Sequence, residues 1–452
     1  MAQMKTLVFV PGIMGSELRN QQTNERVWPP TMTQIVRKSL RAEALLDEHL
    51  TPIKPIAYIA RFYPVYSSLL NDLARCGYSL DGASGKRLIA FAYDWRRDNA
   101  VSAERLAERL DLLASDDEIV LLAHSMGGLI CRYLIESGDY AVRPWFKQIK
   151  QLITMGTPHH GAASALKMVA GMEDNVGIKK DQVKQFTDDP RYAAAYQLVA
   201  SSDSGMTVTA GLRNKLIKNL DAFDERIVTK YQLSTENVRA ARRFWSKLEL
   251  AKRPSHVGYF AILGSAHRTL SRMEWTGREL REVQSKASGD GTVPITGAQL
   301  FSVPHSFSQK NHASIFTDRS IRFELYKMLG ASANVVPQAA VDSIEVGAPD
   351  AVGLSTDRTE YAPRDTLEVG LSFTQPRENL HCTLQIMRLD IASDDGVHEY
   401  AAMPPVQVRI DQVEVEQIRF EMVIDLTPGV YELVCSTAVD DPQRTMFTVA
   451  EQ

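Results

Sequence analysis

Ile119-Val120-Leu121-Leu122-Ala123-His124-Ser125-Met126-Gly127-Gly128-Leu129-Ile130 decides the fold. Five consecutive apolar residues, beginning with β-branched Ile119 and Val120, read as a buried strand. The apolar spacing after Gly128 reads as a helix, leaving room only for a sharp turn at Ser125. A serine on a strand-to-helix turn, with small residues two positions either side, fits a nucleophile elbow. Ala123 stands where the pattern usually has its first glycine. A serine that merely caps a helix would explain a bare S-x-G match, but not this context. The helix start gives Ser125 a positive dipole, and the Met126 N–H is placed to donate to an oxyanion.

Further apolar runs of strand length flank this one: Leu7 to Val10, Leu88 to Ala92, Ile149 to Met155 and Val257 to Leu263. Helix-period segments lie between most of them, as in Val101 to Ala114 with Leu106, Leu110 and Leu113 on one face. Alternating strands and helices predict a parallel sheet wrapped on both faces. Within 165–255 the strand signal fades, and amphipathic helices are expected, such as Arg213 to Lys230 and Thr235 to Leu250. This stretch reads as a cap inserted above the sheet. Lys179 to Arg253 holds 15 Lys+Arg against 9 Asp+Glu, a surplus that solvated helix faces or an anionic surface would explain.

A serine hydroxyl needs a base, and the base needs an acid to orient it; in this fold they follow in the order serine, acid, histidine. Gly289-Asp290-Gly291-Thr292-Val293-Pro294 offers the acid in a turn after the Val257 to Leu263 strand, and Lys310-Asn311-His312-Ala313-Ser314 offers the histidine in a loop opening a helix. His159 and His160 precede any suitable acid, and His305 falls at an apolar strand end. Asp94 precedes the serine and reads as structural, a partner for Arg96 or Arg97. The glycine loop Val10-Pro11-Gly12-Ile13-Met14-Gly15-Ser16 ends the first strand and could present a second oxyanion N–H. Ile13 is the expected donor, with Met14 its neighbouring alternative.

The 452 residues carry 51 Lys+Arg and 55 Asp+Glu, a net charge of −4 too balanced for a dedicated nucleic-acid binder. That average hides a division. Residues 335–452 have 7 Arg, no Lys and 21 Asp+Glu, a net −14 that leaves +10 for residues 1–334. The five tryptophans all lie in the basic part. The acidic part shows short β-branched runs separated by Gly-, Pro- and Asp-rich turns, the pattern of an all-β, Ig-like sandwich. Two domains are therefore expected, 1–334 and 335–452.

Four cysteines without CxxC spacing exclude zinc-ribbon and thioredoxin readings; Cys382 and Cys435 could face each other across a sandwich, but two buried free thiols are expected. Gly82-Ala83-Ser84-Gly85-Lys86 is two residues short of a P-loop and precedes a strand. With no HExxH, GxGxxG or EF-hand pattern, no metal or other cofactor is expected. No run of about 18 apolar residues is present. The first apolar run is too short for a signal peptide, so a cytoplasmic protein is the expectation, with peripheral membrane contact or export without a signal peptide as alternatives.

With Pro11-Gly12-Ile13-Met14-Gly15-Ser16, Tyr93-Asp94-Trp95-Arg96, His124-Ser125-Met126-Gly127-Gly128, Gly156-Thr157-Pro158, Gly289-Asp290-Gly291-Thr292-Val293-Pro294 and His312 in this order, the chain resembles the lecithin:cholesterol acyltransferase family over about residues 5 to 330. Ala195-Tyr196-Gln197-Leu198 looks like the family's cap segment. The resemblance implies an α/β-hydrolase with a helical cap, Ser125 as nucleophile, Asp290 and His312 completing a triad, and Ile13 and Met126 as oxyanion donors. It further implies a lipid or membrane-surface ester as substrate and water or an alcohol as acyl acceptor. The early cap lacks the family's cysteine pair, and the acidic β part is not in the family core. That part is a candidate site for a protein partner or for restraint of the enzyme. A general soluble carboxylesterase, or a binding protein with a vestigial hydrolase core, is the competing expectation.

Overall fold

The computed structural model describes residues 4–59, 63–114, 117–175, 177–199, 208–212, 215–331, 352–356, 360–392, 396–411, 415–437 and 442–450. Its centre is a six-stranded sheet of β1 (Lys5–Val10), β2 (Lys86–Ala90), β3 (Glu118–His124), β4 (Ile149–Met155), β5 (Gly258–Gly264) and β6 (His305–Ser308). The order across the sheet is β6-β5-β4-β3-β1-β2, and every pairing is parallel. This mixed α/β arrangement, with the serine turn following a central strand, fits an α/β-hydrolase.

The near-continuous apolar strands are explained by burial on both faces. Along β1 and β3, Val8, Val10, Leu121 and Ala123 enter one core, while Leu7, Phe9 and Leu122 enter a second on the opposite face. Helix α1 (Ser67–Arg75) and helix α2 (Asn99–Leu110) cover different faces: Leu69 and Leu73 join the second core, Leu106 and Leu110 the first. Asp98 caps α2 by accepting from the Ala100 N–H at 2.9 Å. Helix α3 (Met126–Glu136) is buried along its whole length.

Two expectations are corrected. The stretch read as a helix from Arg213 to Lys230 holds strand Lys215–Leu220, which pairs with Val208–Leu212 just before it, and the helix there begins only at Glu225. Those strands extend a hairpin, His267–Trp275 and Leu280–Gly289, into a four-stranded sheet. The acid loop therefore follows this inserted hairpin and not the Gly258–Gly264 strand directly. Elsewhere 165–255 is helical where described, with α4 (Ala163–Val169) leading in, then α5 (Lys180–Thr187) and α6 (Thr235–Trp245). Several of its cations face carboxylates: Lys184 pairs with Asp188, Arg191 with Asp189, Arg226 with Asp224, Arg242 with Asp221 and Lys247 with Asp139. Among the described residues no helix is long and apolar enough to cross a membrane.

The expected boundary at 334/335 lies outside the described residues. Beyond it the elements among the described residues are all strands, with one sheet of Val352–Thr356, Thr366–Arg377 and Val415–Val423 and a larger one centred on Leu380–Ala392 and Gly429–Thr437. Leu367, Val369 and Leu371 of the first meet Leu384, Ile386, Leu433 and Phe447 of the second in a separate core. Cys382 and Cys435 lie on neighbouring strands of one sheet, Leu384 being opposite Cys435, and all four cysteines are buried with none in a disulfide. Glu368 of this part accepts from Arg268 at 3.2 Å and from Arg419 at 3.0 Å, and Lys310 donates to Gln443.

Candidate active site

Ser125 is the single residue between the end of β3 and the start of α3. Its φ of +53° and ψ of −128° lie where an L residue is strained, a cost of about 1–3 kcal/mol that the surroundings must hold. They do so from several sides. The Ser125 N–H donates to the Met155 carbonyl at the end of β4, and its carbonyl accepts from Gly128. A Cβ at Gly127 would stand 2.4 Å from the Val10 carbonyl oxygen, so only glycine lets the helix start this close to β1.

His312 opens a short 3₁₀ turn, His312–Thr317, and not an α-helix; helix α7 (Arg319–Met328) follows. Asn311 caps that turn through the Ser314 N–H. The His312 N–H donates to the Asp290 carbonyl at 2.8 Å, joining the two loops by backbone. Their side chains then meet: His312 Nδ1 is 2.7 Å from Asp290 Oδ2, and His312 Nε2 is 2.9 Å from Ser125 Oγ. Asp290 Oδ1 accepts from the Thr292 and Val293 N–H groups at 2.9 and 2.7 Å.

Asp290 is 1% exposed. Burial opposes its ionisation, but the charge and hydrogen bond of His312 with the two backbone N–H groups outweigh it and hold the carboxyl below its ordinary value. An ionised carboxylate only accepts, so the proton on His312 sits at Nδ1 and leaves Nε2 to accept from the serine hydroxyl.

The loop after β1 folds beside the serine. Gly15 N–H closes a turn onto the Gly12 carbonyl, Met14 sits at φ +60°, and Trp28 Nε1 donates to the Met14 carbonyl at 2.7 Å. Ile13 and Met14 are half-buried at the rim, between buried Gly12 and Gly15. Among the described residues no hydrogen bond takes up the backbone N–H of Ile13 or Met126.

The other candidates stand apart. Asp94 grips Arg96 with two bonds of 2.8 Å, and Arg96 in turn donates to the Leu45 and Asp47 carbonyls. His159 Nε2 is 3.0 Å from Thr154 Oγ1, and His305 faces the Val303 carbonyl. Tyr196 donates to Asp188 and accepts from the Ser234 N–H, and Gln197 accepts from the Asn99 N–H, so this segment ties the cap to α2. A cleft lined by Lys5, Tyr78, Glu118 and Lys150 lies at the amino ends of the strands, away from Ser125. Tyr66 also reaches the serine turn, through His124. Sequence reading passed over it because no local pattern links positions 58 residues apart.

Comparison with known proteins bears on the segment around the serine. Residues 43–189 match the lecithin:cholesterol acyltransferase family. The matched segment contains α2, β3, Ser125, α3, β4 and the first cap helices, and ends before Asp290 and His312. The resemblance carried by the motifs therefore holds there. A relative from Saccharomyces cerevisiae, Uncharacterized protein YJR098C, is 26% identical over 149 residues, which is 30% of this chain and 22% of that protein. The chain thus aligns with about a fifth of the length of this curated relative. Among solved structures, the metagenomic carboxyl esterase MGS0156 is 15% identical and superposes at a TM-score of 0.31, covering 69% of this chain and 65% of its own. An alpha-2-macroglobulin from Escherichia coli is 14% identical at a TM-score of 0.17, over 22% of this chain and 6% of its own.

Proposed function

We propose that this protein is a serine acyl hydrolase or acyltransferase that cleaves lipid esters, phospholipids first among them. The observation that carries the proposal is the unbroken contact from Ser125 Oγ through His312 to Asp290 at a strained strand-to-helix turn. In this reading His312 Nε2 takes the hydroxyl proton as Ser125 Oγ attacks the ester carbonyl carbon. The Ile13 and Met126 N–H groups receive the oxyanion, helped by the dipole of α3. As the tetrahedral species collapses, the bond to the leaving alcohol breaks and His312 returns the proton to it. Water or a second alcohol then attacks the acyl carbon with His312 as base, the bond to Ser125 Oγ breaks, and His312 returns the proton to Oγ as the acid or new ester leaves.

The substrate class rests on the family match around Ser125 and on the cap, which we read as the acyl-chain binding element of a catalytic domain spanning 1–334. We read 335–452 as an Ig-like sandwich offering a docking face to a protein partner. Four buried cysteines, none in a disulfide, favour a reducing compartment, so the place of action in this reading is the cytoplasmic side of a membrane.

Mass spectrometry of a mixed extract of phospholipids and neutral glycerides, incubated with wild type and with Ser125→Ala, tests the proposal. Lyso-lipids or free fatty acids appearing only with wild type are expected and would name the substrate. An unchanged lipid profile beside rapid cleavage of short-chain p-nitrophenyl esters would replace the lipase reading with that of a soluble carboxylesterase.

A further inference from the structure

One chain of hydrogen bonds near the serine is not used by the mechanism above. The Gly12 N–H donates to Tyr66 Oη at 2.9 Å, Tyr66 Oη lies 2.8 Å from His124 Nδ1, and His124 Nε2 lies 2.9 Å from the His312 carbonyl. The polarity of the whole chain follows from its ends. A carbonyl can only accept, so His124 carries its proton on Nε2; neutral His124 must then accept at Nδ1, and the Tyr66 hydroxyl must donate to it. That leaves the Tyr66 oxygen to accept from Gly12, as the distances require. Burial, with the nearby His312, lowers the His124 pKa to about 3 and keeps the imidazole neutral. Both side chains are buried, 3% and 5% exposed, and Tyr66 is wedged edge-on against Phe9 and tilted against Phe316.

The chain joins three segments that the sequence keeps far apart: the turn carrying Ile13, the residue before Ser125, and the backbone of His312. We propose that Tyr66 and His124 are positioning residues that set the spacing between the oxyanion turn, the serine and its base. The inference rests on the acyl-hydrolase reading and adds residues that touch neither substrate nor reacting atoms. Loss of the Tyr66 hydroxyl leaves the Gly12 N–H and His124 Nδ1 without their partner, freeing the oxyanion turn to drift from Ser125 while the ring stays packed. A displacement of about 1 Å in such a group costs on the order of a hundredfold in rate.

The test is the second-order rate of Ser125 labelling by a fluorophosphonate, which needs the nucleophile, the base and the oxyanion donors together. Wild type, Ser125→Ala and Tyr66→Phe are compared, with melting temperatures and the kcat and KM of a p-nitrophenyl ester. The expected result is labelling of wild type and not of Ser125→Ala. Tyr66→Phe should label about tenfold to a hundredfold more slowly while folded, with the loss in kcat and KM within about twofold. Labelling of Tyr66→Phe at the wild-type rate, even with a lowered melting temperature, would reduce the network to a structural one and overturn the inference. Wild type that fails to label would overturn the acyl-hydrolase reading itself. If Tyr66→Phe does not fold, His124→Asn, which keeps an acceptor toward Tyr66 and loses the bond to His312, carries the same comparison.

Discussion

A Cβ built on Gly12 would stand 2.8 Å from the Cβ of Ser125 and 3.3 Å from its Oγ. Gly12 is not among the residues of positive φ, so glycine is needed there for space and not for backbone freedom. Gly12→Ala must push the turn outward and carry Ile13 with it. Steady-state kinetics on a p-nitrophenyl ester should show kcat lowered about a hundredfold, near the cost of losing one oxyanion donor. Calorimetry should find the fold retained, and a variant with unchanged kcat would contradict the placement of the turn.

Stability should fall on acidification below the ordinary histidine range. Burial depresses the pKa of His124, His159 and His267, which stay neutral in the folded protein while the unfolded chain takes up protons below about 6.5. The unfolded state then binds more protons than the native one, so stability is full above that pH and declines as pH drops toward the folded values. Each such histidine contributes up to about 1.4 kcal/mol per pH unit in that window. Asp290, held below its ordinary value, adds a loss at lower pH still. Urea unfolding at pH 7.5, 6.0 and 5.0 measures the slope, and stability that is flat across this range would contradict it.

Arg132 and Glu136, one turn apart on α3, are 4% and 0% exposed in their side chains and joined by two bonds of 2.8 Å. Tyr259 also donates to Glu136, and Arg132 donates to the His159 carbonyl. Arg132→Met strands a carboxylate in the core and should cost about 3 kcal/mol or more. Arg132→Met combined with Glu136→Leu should recover part of that loss, because no unpaired charge remains. Chemical denaturation of both variants checks the order.

The turn at Ser125 was readable because everything that forces it lies within a dozen residues: an apolar strand, a small residue at 123, glycines at 127 and 128, and a helix pattern. Chain order then singled out Asp290 and His312, and the fold brings both to the end of β3 where Ser125 sits. The strands near residues 208–220 were not readable. Leu216, Ile217 and Leu220 fit a helical spacing as well as any strand, and the hairpin of Val208–Leu212 with Lys215–Leu220 is joined to a sheet by parallel pairing of Val208 to Ala210 with Met273 to Trp275, more than sixty residues away. The hairpin before Asp290 escaped for a related reason. Its polar, Arg- and Glu-rich strands alternate weakly, because only part of each is buried. Tyr66 is the limiting case, a residue whose place beside Gly12 and His124 is created wholly by packing of α1 against the sheet.

The central claim is tested most directly by ester hydrolysis under saturating substrate, comparing wild type with Ser125→Ala in folded protein. The account predicts a fall in kcat of about three orders of magnitude or more, with trapping of an acyl group on Ser125 of wild type seen by intact-protein mass spectrometry. A Ser125→Ala protein that retained most of its activity would contradict the account.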